Sequence, residues 1–267
     1  MGKLEDLQIT DRTLARKEGA IGWLTFNNPE RRNAMSVDMW EALPRVLAAF
    51  QADPEIRAIV LTGAGDKAFV SGADISQFES QRSSADGVQR YEELAEGAQL
   101  ALLTCDKPTI ARIRGFCIGG GLNIANACDL RIASDDSRFS IPAAKMGLGY
   151  RASSMKMLVD NVGPARAREV MITARQFTAA EAKEMGLIHK LTSADALDAA
   201  VKEYCDLISA NAPLTMRSAK RIIREVSKSD WDVAQCKAWV KECFDSADYK
   251  EGRKAFMEKR KAVFTGK

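Results

Sequence analysis

The chain alternates between short apolar runs that read as strands and longer stretches whose apolar positions recur every three to four residues. Residues 20–26 (AIGWLTF) combine period-two alternation with strand-forming side chains, and NNPERRNAM then breaks the strand with Asn-Pro chemistry. Next, Met39, Trp40, Leu43, Val46, Leu47 and Phe50 fall on one side of a helix, with Ser36 placed to cap its start. The run IRAIVLT (56–62) lacks polar alternation, as a strand buried on both faces of a parallel sheet would, and GAGDK ends it. A helix near 91–104, a strand in PTIARIRG, a helix over 122–127 and a strand over 130–134 continue the alternation, which predicts an α/β architecture.

From residue 163 the pattern turns helical, through GPARAREVMITA, TAAEAKEMG, SADALDAAVKEYCDLISAN, residues 213–226 and most of 231–264. No Gly/Ser or Pro linker marks a boundary, and no internal repeat or low-complexity tract is present. A chain of 267 residues is long enough to bury a sizeable core.

Composition narrows the chemistry. The 46% hydrophobic and 28% charged content is that of a globular protein, and no apolar run approaches the roughly 20 residues that span a bilayer. The start, MGKLEDLQITDR, lacks the apolar core of a signal peptide, so a cytoplasmic location is expected. Six scattered cysteines form no CxxC pair and read as reduced thiols; a single histidine, His189, argues against a His-based zinc site or a Ser-His-Asp triad. His189 lies in the apolar segment GLIHKL, which suits a structural role. Residues 250–267 hold seven Lys/Arg against two Glu. They read either as a solvated helix face or as a contact for phosphate on a small molecule, since no nucleic-acid module accompanies them.

Two glycine-bearing turns carry the candidate chemistry. KAFVSGADI (67–75) follows the strand at 56–62, and Gly119-Gly120-Gly121 follows the strand at 108–114 and opens the helix containing Asn123. Each turn can expose a backbone N–H, the second at the positive end of a helix. Two convergent donors make an oxyanion hole, where one donor contributes roughly 2.7–4 kcal/mol in other enzymes.

The segments NPERRNAM, KAFVSGADI, KPTIARIRGFCIGGGLNIANACDLRIAS, FSIPAAKMGLG, TAAEAKEMGLIHK and EGRKAFMEKRKAVF, in this order, resemble the crotonase superfamily, the enoyl-CoA hydratase/isomerase family. The resemblance implies a spiral of repeated ββα units over residues 1–200 that binds acyl-CoA, and a helical C-terminal trimerisation region over 201–267. It implies a homotrimer or dimer of trimers, a place in fatty acid metabolism as a lyase or isomerase, and no cofactor beyond the coenzyme A of the substrate. No metal, membrane or nucleic-acid partner is implied. By similarity, the amides of Ala73 and Gly120 polarise the thioester carbonyl and hold an enolate. Arg31, Arg32, Ala34, Lys67, Ala68, Asp74 and Ile75 would embrace the pantetheine and adenine, while Phe256 and Lys259 would reach the nucleotide of a neighbouring subunit.

The departures bear on the reaction. Hydratases of the family carry glutamates where this chain has Asn123 and Ala143. An amide and a methyl group cannot activate water or deliver a proton, so ordinary hydration is not expected. Tyr150 matches a tyrosine of the superfamily's methylmalonyl-CoA decarboxylases, and a malonyl-type decarboxylation would need no base. In that reading Tyr150 orients the departing carboxylate, with Asn123 as its hydrogen-bond partner. The other reading of Tyr150 is a pocket-wall ring with its hydroxyl turned to solvent. Glu79 and Asp74 are further candidate bases or surface and capping groups, and Lys145 and Arg151 are carboxylate readers or surface cations. A pseudoenzyme that binds acyl-CoA without turnover is the alternative from another class.

Overall fold

The computed structural model describes residues 10–74 and 85–267. Strands β1 (Thr13–Glu18) and β2 (Ile21–Phe26) pair antiparallel, from Thr13 opposite Phe26 to Glu18 opposite Ile21. β1 is a strand that the hydrophobic pattern does not predict: only Thr13 of TLARKE is buried, so this edge strand has no apolar alternation to reveal it. α1 (Val37–Ala52) buries the six apolar positions expected of it. Ser36 takes the N-cap position in extended backbone, but its hydroxyl bonds the Asp38 carboxylate and caps no helix N–H, which corrects the expected side-chain cap.

Three strand–strand–helix units follow. They are β3 (Ala58–Gly63), β4 (Ala68–Val70) and α2 (Ala85–Leu103); β5 (Thr109–Ile113), β6 (Phe116–Ile118) and α3 (Gly120–Ala127); and β7 (Leu130–Ser134), β8 (Arg138–Ser140) and α4 (Ala152–Thr173). After them come β9 (Phe177–Thr178), α5 (Ala179–Glu184) and β10 (Lys190–Thr192). The first strand of each unit enters a sheet of order β1-β2-β3-β5-β7-β10, parallel from β2 onward. The second enters a smaller sheet of order β4-β6-β8-β9, in which only β9 runs antiparallel. This is the ββα spiral of the crotonase fold. The second strands are two or three residues long, too short to carry a period.

β3 is buried on both faces, as its unbroken apolar run requires. Ile59 and Leu61 join the main core with Phe26, Phe50 and Phe69, whereas Val60 faces outward with Ile110 and Ile132. That outer face is covered by Leu197, Val201 and Cys205 of α6 (Leu197–Ser209). α6 thus runs through the expected junction at residue 200. α4 breaks at Gly163 (φ 73°) and Pro164 restarts it, so the helix read from residue 163 is preceded by an unforeseen helical stretch over 152–162.

Helices α7 (Pro213–Val226), α8 (Val233–Asp245) and α9 (Ala247–Met257) complete the chain. Lys220 on α7 donates to Asp129 Oδ2 (2.6 Å) and to the Lys107 carbonyl (2.7 Å), and Arg221 donates to Asp106 (2.8 Å). These partners directly precede β5 and β7, so α7 attaches where strands begin. Helix ends at Met257 and does not reach Phe264: residues 258–267 turn back, and Asp248 accepts the N–H groups of Thr265 (2.7 Å) and Gly266 (2.9 Å). Among the described residues no helix is long and apolar enough to cross a membrane.

β4 is held by backbone crowding. A Cβ on Gly63 would lie 2.2 Å from the Ala68 carbonyl oxygen, one on Gly115 2.1 Å from that of Lys67, and one on Gly121 2.1 Å from that of Val70. Gly121→Ala is therefore expected to cost about 1–3 kcal/mol, as overpacking does, measurable by chemical denaturation. Wild-type stability in that variant would show that β4 can move aside.

His189 lies just before β10. Its backbone N–H donates to the Arg131 carbonyl (2.9 Å) and its Nδ1 accepts the Arg131 backbone N–H (3.1 Å), an arrangement only the unprotonated nitrogen allows. Loss of hydration, then the Arg131 and Lys183 cations, push its pKa down to about 4. Because the unfolded chain binds this proton first, His189 contributes stability above its ordinary pKa near ~6.5 that is lost as pH falls toward 4. An NMR titration of His189 should show the depressed midpoint, and His189→Gln should flatten this part of the acid limb; a midpoint at or above the ordinary value would refute the Nδ1 bond.

Candidate active site

β4 and β6 run side by side, and each releases a turn into the same cavity, Ser71–Asp74 from the first and Gly119–Gly121 from the second. In the first turn, Met35 N–H donates to the Gly72 carbonyl (2.8 Å) and Asp74 N–H donates to the Met35 carbonyl (2.9 Å). Both groups flanking Ala73 thus face Met35, and by strand alternation the Ala73 N–H points the other way, toward the cavity that Ala73 lines. In the second turn, Gly119 adopts φ 55°, ψ −116°, which glycine alone reaches without strain. Gly120 is the first residue of α3, where an N–H has no acceptor within the helix. The turns adjoin: a Cβ on Gly119 would stand 3.9 Å from Gly72 Cα.

α3 is also tied at its far end. Arg131, only 3% exposed, donates to the carbonyls of Ala125 (3.3 Å), Cys128 (2.8 Å) and Leu187 (2.7 Å) and to Asn161 Oδ1 (3.0 Å). Burial lowers its pKa, yet a guanidinium stays charged.

The cavity wall includes Trp40, Ile118, Ile141, Met146 and Leu148, with a few polar groups among them. Asn123 is 2% exposed, lines the cavity, and leaves Oδ1 with no hydrogen-bond partner. Ala143, in the 3-10 turn Pro142–Met146, lines it too. The Tyr150 hydroxyl is buried beside Asn123 and makes no hydrogen bond of ordinary geometry, so it turns inward and the solvent-directed alternative is corrected. Burial pushes the phenol well above its ordinary range, with Asn123 and the Arg151 cation tempering the rise, and it stays neutral at physiological pH. Four residues singled out for the chemistry, Ala73, Gly120, Asn123 and Tyr150, therefore share one cavity.

The expected coenzyme contacts fall elsewhere. Arg31, Arg32, Ala34, Lys67, Ala68 and Asp74 gather beside the first turn without lining the cavity. Asn33, fully buried, ties them: its Nδ2 donates to the Ala64 (2.9 Å) and Ala68 (2.8 Å) carbonyls, and its Oδ1 accepts the Asn28 N–H (3.0 Å). Ser71 N–H donates to the Arg32 carbonyl (3.1 Å), Phe116 N–H to that of Lys67 (3.0 Å), and the Arg32 guanidinium stands 5.1 Å from the Phe116 ring centroid. Asp74 is buried against Arg31 (3.4 Å) and is no part of the lining, which places it as a structural group and not as an inward base. Ile75 and Glu79 lie outside the described residues. Phe256, 83% exposed, and Lys259 lie at the end of α9, away from the lining. The basic tail partly neutralises itself, since Arg260 pairs with Glu251 and Glu258.

Two features of the lining, the Trp40–Tyr91 pair and Glu92, escaped the sequence reading, and a third group, Arg151, had two readings there. Trp40 Nε1 donates to the Tyr91 hydroxyl (2.8 Å), joining α1 to α2 over the cavity. Glu92 is the carboxylate among the described lining residues, spaced three from Ala95 on the same α2 face. Arg151, read from the sequence as a carboxylate reader or a surface cation, lines the cavity: its Nε is 3.2 Å from Glu92 Oε2, and its Nη1 donates to the Glu92 carbonyl (2.7 Å). Lys145 is exposed and outside the lining. Among the described residues no group of three or more His, Cys, Asp or Glu could hold a metal ion. Two N–H donors in a largely apolar cavity, with one carboxylate on its wall, can stabilise a negatively charged oxygen and exchange a proton.

Residues 16–267 match the sequence profile described as enoyl-CoA hydratase/isomerase. A short-chain-enoyl-CoA hydratase of Clostridium acetobutylicum is 34% identical over 254 residues, covering 94% of this chain and 96% of that protein. A peroxisomal Delta(3,5)-Delta(2,4)-dienoyl-CoA isomerase of Arabidopsis thaliana is 32% identical over 261 residues, covering 92% and 93%. The crystal structure of an enoyl-CoA hydratase/carnithine racemase from Magnetospirillum magneticum superposes with a TM-score of 0.91 at 34% identity, covering 98% of this chain and 99% of that one. Relatives of nearly equal identity carry different reaction names, so likeness decides the family and leaves the reaction to the site. With its ββα spiral and paired glycine turns, the chain belongs to the enoyl-CoA hydratase/isomerase family.

Proposed function

We propose that the protein binds an acyl-CoA thioester and that the Ala73 and Gly120 amides hold the thioester oxygen while an enolate forms. The observation that carries this reading is that both turns line one cavity, with the groups flanking Ala73 bonded to Met35 and Gly120 at the open start of α3. Fixed dipoles aimed at a developing oxyanion need no reorganisation during reaction, and one such donor is worth about 10²–10³ in rate. Asn123 and Ala143 supply no proton-transfer group where hydratases of the family carry glutamates, so this reading does not include hydration by that glutamate pair. Arg31, Arg32, Ala34, Lys67, Ala68 and Asp74 form the rim on which the coenzyme A portion lies, and Phe256 and Lys259 reach it from a second copy. The exposed side chains of Ile223, Phe244, Phe256 and Met257 on α7–α9 support such self-association as a trimer or dimer of trimers.

The inward, buried Tyr150 hydroxyl beside Asn123 supports a second reading, decarboxylation of a malonyl-type thioester. There the C–CO₂ electron pair becomes the enolate, CO₂ leaves, and Tyr150 orients the departing group.

The first reading is checked by infrared difference spectroscopy of butyryl-CoA labelled with ¹³C at the carbonyl: on binding, the carbonyl stretch should move to lower frequency. Binding without that shift would remove the oxyanion role. Crotonyl-CoA should show no rapid loss of enoyl-thioester absorbance; fast hydration would overturn the claim about Asn123. CO₂ release from methylmalonyl-CoA that disappears in Tyr150→Phe would establish the second reading, and tight binding without turnover across a thioester panel would identify a non-catalytic binder. Light scattering should give a solution mass three or six times that of the chain, and a monomer would remove Phe256 and Lys259 from the site.

A further inference from the structure

We propose that Glu92 is the group that moves a proton to and from the bound acyl chain, with Arg151 as its positioning partner. The inference rests on the acyl-CoA reading above and adds the acid–base residue that reading lacks. Glu92 shares the cavity with Ala73 and Gly120, and it enters from α2, a different wall from Asn123 on α3 and from Ala143.

The other lining groups are poor candidates. The Asn123 amide neither accepts nor releases a proton near neutral pH, and Ala143 has only a methyl group. The Tyr150 phenol is held neutral by its burial, and the Tyr91 hydroxyl accepts the Trp40 indole N–H. Glu92 is a carboxylate, and Arg151 grips it twice, at the main-chain carbonyl and at Oε2. One arginine thereby fixes the backbone and the side chain of the same residue. A partly exposed ion pair of this kind contributes little to stability, so its effect is to set where the carboxylate stands. Glu92 and Arg151 line the same cavity as Tyr150 and Asn123.

The step balances within the site. A Glu92 oxygen takes a proton from the carbon next to the thioester carbonyl, and the C–H electron pair becomes the carbon–carbon double bond of the enolate. The carbonyl π pair moves to the oxygen facing the Ala73 and Gly120 amides. Return of the proton to the same carbon gives exchange with solvent, and its return two carbons further along an unsaturated chain gives double-bond isomerisation.

The test follows deuterium wash-in at the α carbon of butyryl-CoA by full-length protein in D₂O, read by mass spectrometry, with calorimetric binding of the same thioester measured in parallel. Glu92→Gln should lose about 10²–10⁴ of the exchange rate, the range of general acid–base catalysis, while binding stays at the wild-type level. Glu92→Asp should keep part of the rate, and Arg151→Gln should lower it less than Glu92→Gln with binding unchanged. Wild-type exchange in Glu92→Gln overturns the proposal, as does thioester binding by the wild type with no wash-in at all. Failure of the wild type to bind any acyl-CoA removes the underlying reading instead, and this inference with it.

Discussion

The site depends on one steric constraint: β4 has no room for side chains on the glycines around it. The carbonyls of Lys67, Ala68 and Val70 press on Gly115, Gly63 and Gly121 at distances where any Cβ would collide. Packed interiors do not yield continuously, so three such contacts leave β4 essentially one position. The turn bearing Ala73 departs directly from that strand, and the turn bearing Gly120 departs from its parallel neighbour. Backbone against backbone sets the spacing of the two amides, which is why substitutions among cavity side chains can change the chemistry without disturbing them.

The electrostatics of the cavity follow from the amide at its floor. A carboxylate buried as deeply as Asn123 would have its pKa driven upward and would titrate with its surroundings. An amide has a dipole and no titration, so the floor is neutral at every physiological pH. Tyr150 is neutral for a different reason, its lack of hydration. Ionic charge in the described lining is thereby confined to Glu92 and Arg151 on the wall.

The two turns were legible in the sequence because glycine patterns report backbone conformation directly. α1 was legible by its helical period, β2 by its alternation and β3 by its unbroken apolar run. β1 was hidden by its polar edge position, and β4, β6, β8 and β9 by their brevity. The inward aim of Tyr150 and the placement of Arg151 depend on α2 packing against the start of α4, through Arg151 to Glu92, Ser153 to Glu96 (2.7 Å) and Ser154 to Gln99 (3.1 Å). Such long-range pairings leave no mark on local spacing. Nothing in local spacing singles out Glu92 for the same reason.

Arg131 alters how α3 acts on its surroundings. A helix of eight residues is about 12 Å long, so its negative pole would ordinarily stand close enough to offset much of the positive pole's field. Here a buried guanidinium sits on the Ala125 and Cys128 carbonyls and cancels that pole at its source. An anion arriving at Gly120 therefore meets something nearer to a monopole than a dipole, and a two-turn helix exerts the pull of a much longer one.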